Sequence, residues 1–395
     1  MTQADPLVTI VTPSYNQGRF IRDTIESVLT QDYPYIEYII MDGGSTDETA
    51  EVVKPYLDRL TFISERDNGQ SHAINKGFAL AHGEIVAWLN SDDLYLPGAI
   101  RRAVDAFKTN AYAGVVYGEG NQIDEVGKLK QRFLFTQQFD LWKLVFLSDY
   151  ILQQTVFFRK AAMDAVGAVR EDLHFVMDWD ILIRLGKHFE FLYIPEPLGA
   201  LREYAEAKTA VGGSRRIGEI RDMLREHTGS WLPPGLIIYG LASFQRVLHL
   251  RVEPWRPPFD FFGKVLKKIA FHICYPITRR VMAYGQSWHR DGWAGPKIRV
   301  MLPEGGGTAI VRGMIPGSIP GLKTQTLTVK HRGREIARQT FNPGKFEMAV
   351  AMPAWSTRYP VLTIESSDVF VLSRISQSTD QRNLSLQLFE VKWAH

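Results

Sequence analysis

Two adjacent carboxylates stand in the stretch WLNSDDLYLP, which covers residues 88–97. Asp92 and Asp93 follow closely on the apolar run Ile85 to Trp88, which has the composition of a buried strand. Like charges placed side by side repel each other unless a positive charge lies between them. From this stretch alone two interpretations stay open: a solvated turn before the next helix, or two acidic groups that share a site with a divalent cation.

The second interpretation has a definite chemistry. A few oxygen ligands suit Mg²⁺ or Mn²⁺ that is held jointly with substrate phosphates, and such a centre stabilises negative charge on a leaving group. The chain has no G-x-x-x-x-G-K-[ST] loop and no G-x-G-x-x-G after its first strand-like run, which argues against a P-loop nucleotidase and an NAD enzyme. A nucleotidyltransferase would need a glycine-rich loop with Arg or Lys there, and TPSYNQGRF is not such a loop.

The elements that position these carboxylates alternate between strand-like and helix-like patterns. The apolar runs LVTIVTP, YIEYIIMDGG, LTFIS, EIVAWLN and GVVYG are separated by segments with apolar residues at helical spacing. This alternation predicts an α/β fold with a Rossmann-like, mostly parallel sheet that is covered by helices on both faces. Ligands of such sheets bind at the carboxyl ends of the strands. Four aspartates follow strand-like runs and should lie at that edge: Asp42, Asp67, Asp92 and Asp93.

Three longer stretches resemble glycosyltransferase family 2. They are VTIVTPSYNQGRFIRDTIESVLTQDYPYIEYIIMDGGSTDET, DNGQSHAINKGFALAHGEIVAWLNSDD and MDWDILIRL, and together they cover roughly residues 6–205. Members of this family are inverting enzymes of the GT-A fold with nucleotide-sugar donors. The resemblance implies a metal-dependent hexosyltransferase that uses a nucleoside diphosphate sugar, with a UDP-sugar favoured. Its acceptor would be a glycan or a lipid-linked saccharide, in the synthesis of a bacterial surface polysaccharide of the O-antigen or capsule type.

The resemblance also assigns residues to the nucleotide-sugar site. Pro13 and Tyr15 of TPSYN would wrap the base of the donor, and Asp42 of MDGGSTDET would accept hydrogen bonds from that base. Asp67 of RDNGQ would flank the same pocket. Gln154 of QQTVFFRK would line the sugar and acceptor side, although a polar residue at the start of a strand is an equally good interpretation.

The resemblance places the metal and the diphosphate at NSDD, where Asp92 would approach the ribose and Asp93 would hold Mn²⁺ or Mg²⁺. The metal motif of the family is often aspartate, any residue, aspartate, but Asn90 stands at its first position, so the metal assignment rests mainly on Asp93. Many members have Ala-Arg-Asn where this chain has residues 73–75 as Ala-Ile-Asn. Lys76 could replace the missing arginine at the pyrophosphate, or could be an ordinary exposed lysine of a helix.

Asp178 of MDWD matches the general base of the family, which removes a proton from the acceptor hydroxyl. Such a base must lie within ~3 Å of the proton and needs a raised pKa, and Trp179 with the apolar residues after it would provide the desolvation. Asp180 is the rival candidate. It should point elsewhere and could pair with Arg184 at the i+4 position of a helix.

The charge balance divides the chain into three predicted domains. Residues 1–227 carry 24 Lys and Arg against 33 Asp and Glu, a balance of −9, and form the predicted GT-A catalytic domain. Residues 228–290 carry 9 against 2, a balance of +7, and are predicted as a basic amphipathic helical connector. Residues 291–395 carry 13 against 8, a balance of +5, and their short alternating strands predict an all-β sandwich-like module.

The later domains leave several interpretations open. A basic amphipathic connector favours peripheral contact with an anionic membrane, and packing against the acidic first domain is the alternative. The sandwich could bind carbohydrate, form a homo-oligomer or serve only for packing. The chain has one cysteine, Cys274, no run of 18 apolar residues and no secretory signal pattern, so it is expected in the cytoplasm or at the inner face of the plasma membrane. No nucleic-acid partner is expected.

A rival function of another class is a non-catalytic carbohydrate-binding or scaffold protein with a degenerate transferase domain. This rival predicts that nucleotide binding does not depend on metal. It also predicts that replacement of Asp178 has no effect on activity.

Overall fold

The structure is a computed structural model, and it describes residues 5–110, 113–146, 148–208, 212–228, 236, 293–302, 307–353, 361–370 and 384–394. The chain divides into two compact units. The first consists of Met1–Phe139, Tyr150–Leu185 and Phe189–Glu219, and the second of Asp140–Asp149, Gly186–His188 and Ile220–His395. The predicted connector lies outside the described residues except for positions 228 and 236, so its helices and its membrane contact stay predictions, as do the domain boundaries. None of the described helices is long and apolar enough to cross a membrane.

Described residues of the first unit form a nine-stranded sheet. Its strands are β1 (Val8–Ser14), β2 (Ile36–Asp42), β3 (Thr61–Ser64), β4 (Ile85–Trp88), β5 (Leu94–Tyr95), β6 (Ala113–Ile123), β7 (Leu129–Arg132), β8 (Phe157–Arg159) and β9 (Glu190–Arg202). The α-helices described up to residue 228 are α1 (Gly18–Leu29), α2 (Thr49–Val53), α3 (Gln70–Leu80), α4 (Ala99–Thr109), α5 (Leu141–Phe146), α6 (Lys160–Val166), α7 (Met177–Gly186) and α8 (Gly213–Thr228). Single 3-10 turns occur at Lys54–Tyr56 and Gln153–Thr155.

The sheet has a parallel half and a mixed half. Its strand order is β3-β2-β1-β4-β8-β6-β9-β5, with β7 paired to β6. Strands β3, β2, β1 and β4 are parallel, as the sequence predicts. In the other half, β8 runs antiparallel to both of its neighbours, β4 and β6, and β5 runs antiparallel to β9. Ser14 pairs with Asp42, and Asp42 with Ser64. This register brings the ends of the first three strands to one edge of the sheet.

Helices cover both faces of the parallel half. Ile10 and Val11 are neighbours in β1 and therefore face opposite sides of the sheet. Ile10 belongs to the core cluster with Ile25 of α1 and Val104 of α4. On the other face a Cβ atom added at Gly77 of α3 would lie 2.4 Å from Val11 Cγ1, so glycine permits the close approach of α3 to β1. The prediction of an α/β sheet with helices on both faces is confirmed.

The second unit contains two four-stranded antiparallel sheets among its described residues. Its strands are β10 (Trp293–Ala294), β11 (Lys297–Met301), β12 (Thr308–Ile315), β13 (Gln325–His331), β14 (Arg334–Phe341), β15 (Gly344–Ala351), β16 (Val361–Ser366) and β17 (Leu386–Trp393). The sheet orders are β10-β17-β12-β15 and β11-β16-β13-β14, and one core cluster draws residues from both sheets, such as Val311 and Val329. Arg332 and Gly333 have φ values of 49° and 76°, as expected for a tight hairpin turn. The predicted all-β, sandwich-like module is confirmed.

Candidate functional site

The ends of β1 and β2 hold three of the residues predicted to bind the nucleotide. Pro13 is buried within β1, whereas Tyr15 directly after β1 is 62% exposed. The buried carboxylate of Asp42 accepts hydrogen bonds from the Ser45 backbone N–H at 2.9 Å and from the Ser64 hydroxyl at 2.6 Å. Asp42 therefore ties the loop after β2 to the end of β3, and its contact with a base stays a prediction.

Asp67 lies against the same loop. A Cβ atom added at Gly43 would stand 2.9 Å from Asp67 Oδ2, so a side chain at position 43 would prevent this approach. Asp67 Oδ1 accepts a hydrogen bond from the Gly69 N–H at 2.7 Å, and Gly69 has a φ of 110°, which glycine adopts without strain. The structure thus brings Asp42 and Asp67 to one corner of the sheet edge.

The two adjacent carboxylates after β4 have different surroundings. Asp93 is 1% exposed, and its carboxyl oxygens accept hydrogen bonds from the Arg202 backbone N–H at 2.9 Å, from Asn90 Nδ2 at 3.1 Å and from Gln154 Nε2. Burial raises the pKa of Asp93 to about 8, and the negative charge of Asp92 adds to the increase. Because both oxygens face protein donors in the interior, this geometry does not support the metal-binding role predicted for Asp93.

Asp92 keeps access to solvent. Its Oδ2 accepts a hydrogen bond from the Tyr204 hydroxyl at 2.7 Å, and no side chain of the described residues bonds to its Oδ1. Arg202 holds the backbone oxygen of Asp92 through Nε at 2.8 Å. Burial raises the pKa of Asp92, and the hydrogen bond from Tyr204 opposes that increase. Asp92 is therefore the member of the pair that can offer an oxygen to a ligand.

The first turn of α7 carries Asp178 and Asp180. Asp178 keeps solvent access, its Oδ1 accepts the Trp179 N–H at 2.8 Å, and burial raises the pKa of its carboxyl. Asp180 is fully buried and pairs with Arg184 Nε at 2.8 Å. The i+4 pairing predicted for the rival candidate is confirmed, which leaves Asp178 as the accessible carboxylate of this turn.

Sequence reasoning did not identify Gln70 and Lys208 as members of the site. Lys208 Nζ donates to Gln70 Oε1 at 2.6 Å, and Gln70 Nε2 donates to Asn90 Oδ1 at 2.7 Å. Burial lowers the pKa of Lys208 to about 8, while the charges of Asp178 and Asp92 raise it. Hydrogen bonds through Gln70 and Asn90 therefore connect Lys208 to the loop that carries Asp92, and the charge of Asp178 also acts on Lys208. In the sequence, Lys208 is recognisable only as a basic residue soon after β9. No spacing rule connects its position to Asp178.

Lys76 and Gln154, which were predicted to contact the nucleotide sugar, are bonded to other residues of the protein. The ammonium group of Lys76 forms an ion pair with Glu65, which favours the interpretation of Lys76 as an ordinary helix lysine. Gln154 is 4% exposed, its Nε2 is used by Asp93, and its buried Oε1 has no hydrogen-bond partner among the described residues. Neither side chain presents an accessible, unpaired polar group for a ligand.

The site offers few oxygen ligands to a divalent cation. Among the described residues no three His, Cys, Asp or Glu side chains are grouped so as to hold a metal ion. Mg²⁺ bound together with phosphates needs one or two carboxylates, and the remaining positions are filled by phosphate and water oxygens. Asp92 Oδ1 meets this need, whereas the Asn90 oxygen already accepts from Gln70. The residues present fit a cation that is shared with a diphosphate.

Comparisons with known proteins support the first part of the sequence prediction. Residues 9–165 match the family model described as glycosyl transferase family 2. An uncharacterized glycosyltransferase of Rickettsia prowazekii is 27% identical over 225 residues, which are 55% of this chain and 70% of that protein. Chondroitin synthase of Escherichia coli is 29% identical over 192 residues, 48% of this chain and 28% of the synthase. The structure of S. aureus TarS 1-349 in complex with UDP-GlcNAc matches with a TM-score of 0.47 and 17% identity, covering 58% of this chain and 68% of that one.

These matches support a glycosyltransferase domain in the first part of the chain, and they confirm the resemblance over residues 9–165. The matched family region ends before Asp178. This chain spans only part of seven further curated relatives, the chondroitin synthase among them. The matched region is 18% to 57% of the length of each of these proteins. The inverting course, the donor, the acceptor and the metal therefore stay predictions.

Proposed function

We propose that this protein is an inverting, metal-dependent glycosyltransferase. It transfers a hexose-type sugar from a nucleoside diphosphate sugar, with a UDP-sugar favoured, to a glycan or lipid-linked acceptor of a bacterial surface polysaccharide. The family match and the similarity to a chondroitin synthase support the class of reaction. The observation that carries the proposal is the acidic loop after β4, where Asp92 keeps solvent access and an Oδ1 that no described side chain bonds. Hydrogen bonds through Gln70 and Asn90 connect Lys208 to this loop.

The nucleotide occupies the corner where the loop after β2 meets Asp67. Tyr15 is the exposed aromatic side chain there and packs against the base, while Asp42 keeps the loop in place through its bonds to Ser45 and Ser64. The diphosphate then extends along the sheet edge toward Asp92. This direction follows from the strand order, in which β1 lies between β2 and β4.

Asp92 is the metal ligand in this proposal, in place of Asp93. When bound, Mg²⁺ or Mn²⁺ neutralises the negative charge that develops on the departing diphosphate. Asp93 instead accepts hydrogen bonds from Arg202, Asn90 and Gln154, and so holds the backbone that presents Asp92.

Asp178 accepts the proton of the acceptor hydroxyl. Its pKa is raised by burial, and a carboxylate with a raised pKa is a stronger base at neutral pH than an ordinary one. The deprotonated oxygen attacks the anomeric carbon on the side opposite to the diphosphate. The bond to the nucleoside diphosphate breaks as the new glycosidic bond forms, and the configuration at the carbon inverts.

A thermal-shift screen of nucleoside diphosphates tests this proposal. UDP with Mn²⁺ or Mg²⁺ is expected to raise the melting temperature, because a ligand at 100 times its Kd adds about 2.7 kcal/mol to the free energy of unfolding. The control is the same screen with EDTA, in which the increase should shrink. If UDP, GDP, CDP and ADP all leave the melting temperature unchanged with metal, the proposed function is wrong.

Replacing Tyr204 with phenylalanine is expected to weaken Mn²⁺ binding about 10- to 100-fold in the presence of UDP, as for other residues that orient a metal ligand. The substitution removes the hydroxyl that fixes Asp92 Oδ2 and keeps the ring that packs at 4.8 Å from Phe20. Electron paramagnetic resonance of free Mn²⁺ measures the affinity directly. Tyr56→Phe is the matched control, because it removes a similar bond of 2.8 Å to Glu26, which has no role in the proposed site. Equal Mn²⁺ affinity in both variants would contradict the role of Tyr204.

A further inference from the structure

We propose that Lys208 binds the diphosphate of the donor through its ammonium group. This inference rests on the proposed function and adds to it the cation that the sequence does not reveal. The family resemblance leaves the pyrophosphate-binding group open, because Ile74 stands where many members have arginine. The structure places Lys208 in the site instead.

The first observation is the incomplete pairing of a partly buried charge. The Lys208 ammonium donates one hydrogen bond, to the neutral oxygen Gln70 Oε1, and lies 5.9 Å from the centroid of the Phe175 ring. It forms no ion pair with a carboxylate among the described residues. An ammonium group has three donors. Transferring such a charge out of water is costly unless an anion or several acceptors compensate. Burial lowers the pKa of Lys208 to about 8, which is the expected sign of that cost.

The second observation is the orientation of Gln70. Its Nε2 donates to Asn90 Oδ1, and Asn90 Nδ2 donates to Asp93 Oδ2. This chain of hydrogen bonds begins in the loop after β4 and fixes the Gln70 amide with its oxygen toward Lys208. The ammonium group is therefore held in one place before any ligand arrives, which reduces the entropy lost on binding.

The third observation is the electrostatic environment of Lys208, which includes both accessible carboxylates. The charges of Asp178 and Asp92 both raise its pKa, Glu219 acts in the same direction, and Arg215 opposes it. The leaving diphosphate must lie between the base and the metal ligand, because the attacked carbon faces Asp178 and the phosphates share the cation with Asp92. A lysine at this point meets phosphate oxygens at the place where their charge increases during transfer.

Lys76 is the natural comparison. The sequence analysis predicts Lys76 as a candidate to bind the pyrophosphate, but its ammonium group already forms an ion pair with Glu65. Lys76 is itself part of α3, and Lys208 contacts Gln70 at the start of the same helix. Of the two, Lys208 is the one connected by hydrogen bonds to the loop that carries Asp92.

The experiment measures the affinities of UDP and of uridine, each with Mg²⁺, by isothermal titration calorimetry of the full-length protein. Lys208→Met is expected to weaken UDP binding about 10- to 100-fold, the effect of one charge-assisted hydrogen bond, and to leave uridine binding unchanged. Lys76→Met is the matched control and should change the UDP affinity less than twofold. Lys208→Arg keeps the charge and should restore most of the affinity, which separates a loss of charge from a loss of folding.

Two outcomes overturn the inference. Lys208→Met could bind UDP as tightly as the wild type, or could weaken uridine to the same extent as UDP. In each case UDP still binds the wild-type protein, so the proposed function survives. If the wild type binds neither UDP nor GDP with Mg²⁺, the proposed function fails together with the inference.

Discussion

Asp178→Asn is expected to lower kcat by about 10²- to 10⁴-fold, the usual contribution of a general base. Asparagine keeps the size of the side chain and can still accept the Trp179 N–H bond that Asp178 Oδ1 accepts at 2.8 Å. It cannot take a proton from the acceptor hydroxyl. The affinity for UDP with Mg²⁺ should stay within about threefold, because Asp178 does not hold the nucleotide in the proposed arrangement. Transfer from a UDP-sugar is measured by release of UDP, and binding by calorimetry.

The pH dependence of the wild type provides a second readout for Asp178. The base works only when it is deprotonated, so kcat/KM should fall as the pH decreases through its pKa. Burial raises that pKa above the ordinary carboxyl value, and the decrease should therefore begin at a higher pH than for an exposed aspartate. The residual activity of Asp178→Asn should lack this decrease.

Asp180→Asn is the matched control two residues along the same helix. Asp180 is fully buried in its ion pair with Arg184, and breaking a buried pair on one side typically costs about 3–5 kcal/mol. This variant should melt at a clearly lower temperature, whereas Asp178→Asn should not. Unchanged turnover in Asp178→Asn would contradict the assignment and favour the alternative of a non-catalytic scaffold with a degenerate transferase domain.

The largest effect on binding is expected for Asp92→Asn. One charge pair at ~4 Å and an effective dielectric of ~20 is worth about 4 kcal/mol, so the metal-dependent affinity for UDP should fall by up to about 10³-fold. The melting temperature of the free protein should change little, because Asp92 keeps solvent access and asparagine can accept the Tyr204 bond. Titration of UDP with Mn²⁺ and with EDTA separates the metal-dependent part of the affinity.

The neighbouring variant Asp93→Ala should behave in the opposite way. It leaves the Arg202 N–H, Asn90 Nδ2 and Gln154 Nε2 without their acceptor in a buried place. A buried donor that loses its partner costs about 1–3 kcal/mol, so the melting temperature should fall strongly. The opposite result would be that Asp93→Ala removes metal-dependent UDP binding with no loss of stability, while Asp92→Asn keeps that binding. In that case Asp93 is the metal ligand, as the sequence predicts, and the assignment to Asp92 is wrong.

Much of the fold was accessible from local patterns. The alternation of apolar runs with helical spacing predicted the parallel half of the sheet, because burial on both faces requires nearly continuous apolar strands. For residues 291–395 the short alternating strands predicted the all-β, sandwich-like module. The mixed half of the first sheet was not predicted, since β8 and β5 are two or three residues long and their direction depends on distant partners.

At the site, local sequence patterns predict the surroundings of some aspartates but not of others. Asp178 and Asp180 differ in exposure, and the i+4 rule identified the partner of Asp180 because both residues lie on one helix. The difference between Asp92 and Asp93 could not be read in this way. Their environments are decided by Arg202, Gln154 and Tyr204, which arrive from other strands and turns.

By itself, the sequence determined the fold class of both units, the stretch that resembles family 2 glycosyltransferases and the strand ends at which acidic residues collect. These features depend on periodicity and on short spacings, which local sequence records. Only the tertiary structure decided which carboxylate is satisfied by protein donors, which lysine is already paired, and that Lys208 is linked through Gln70 and Asn90 to the loop that carries Asp92. Hydrogen bonding, burial and charge act through space, so their outcome depends on neighbours that are far apart along the chain.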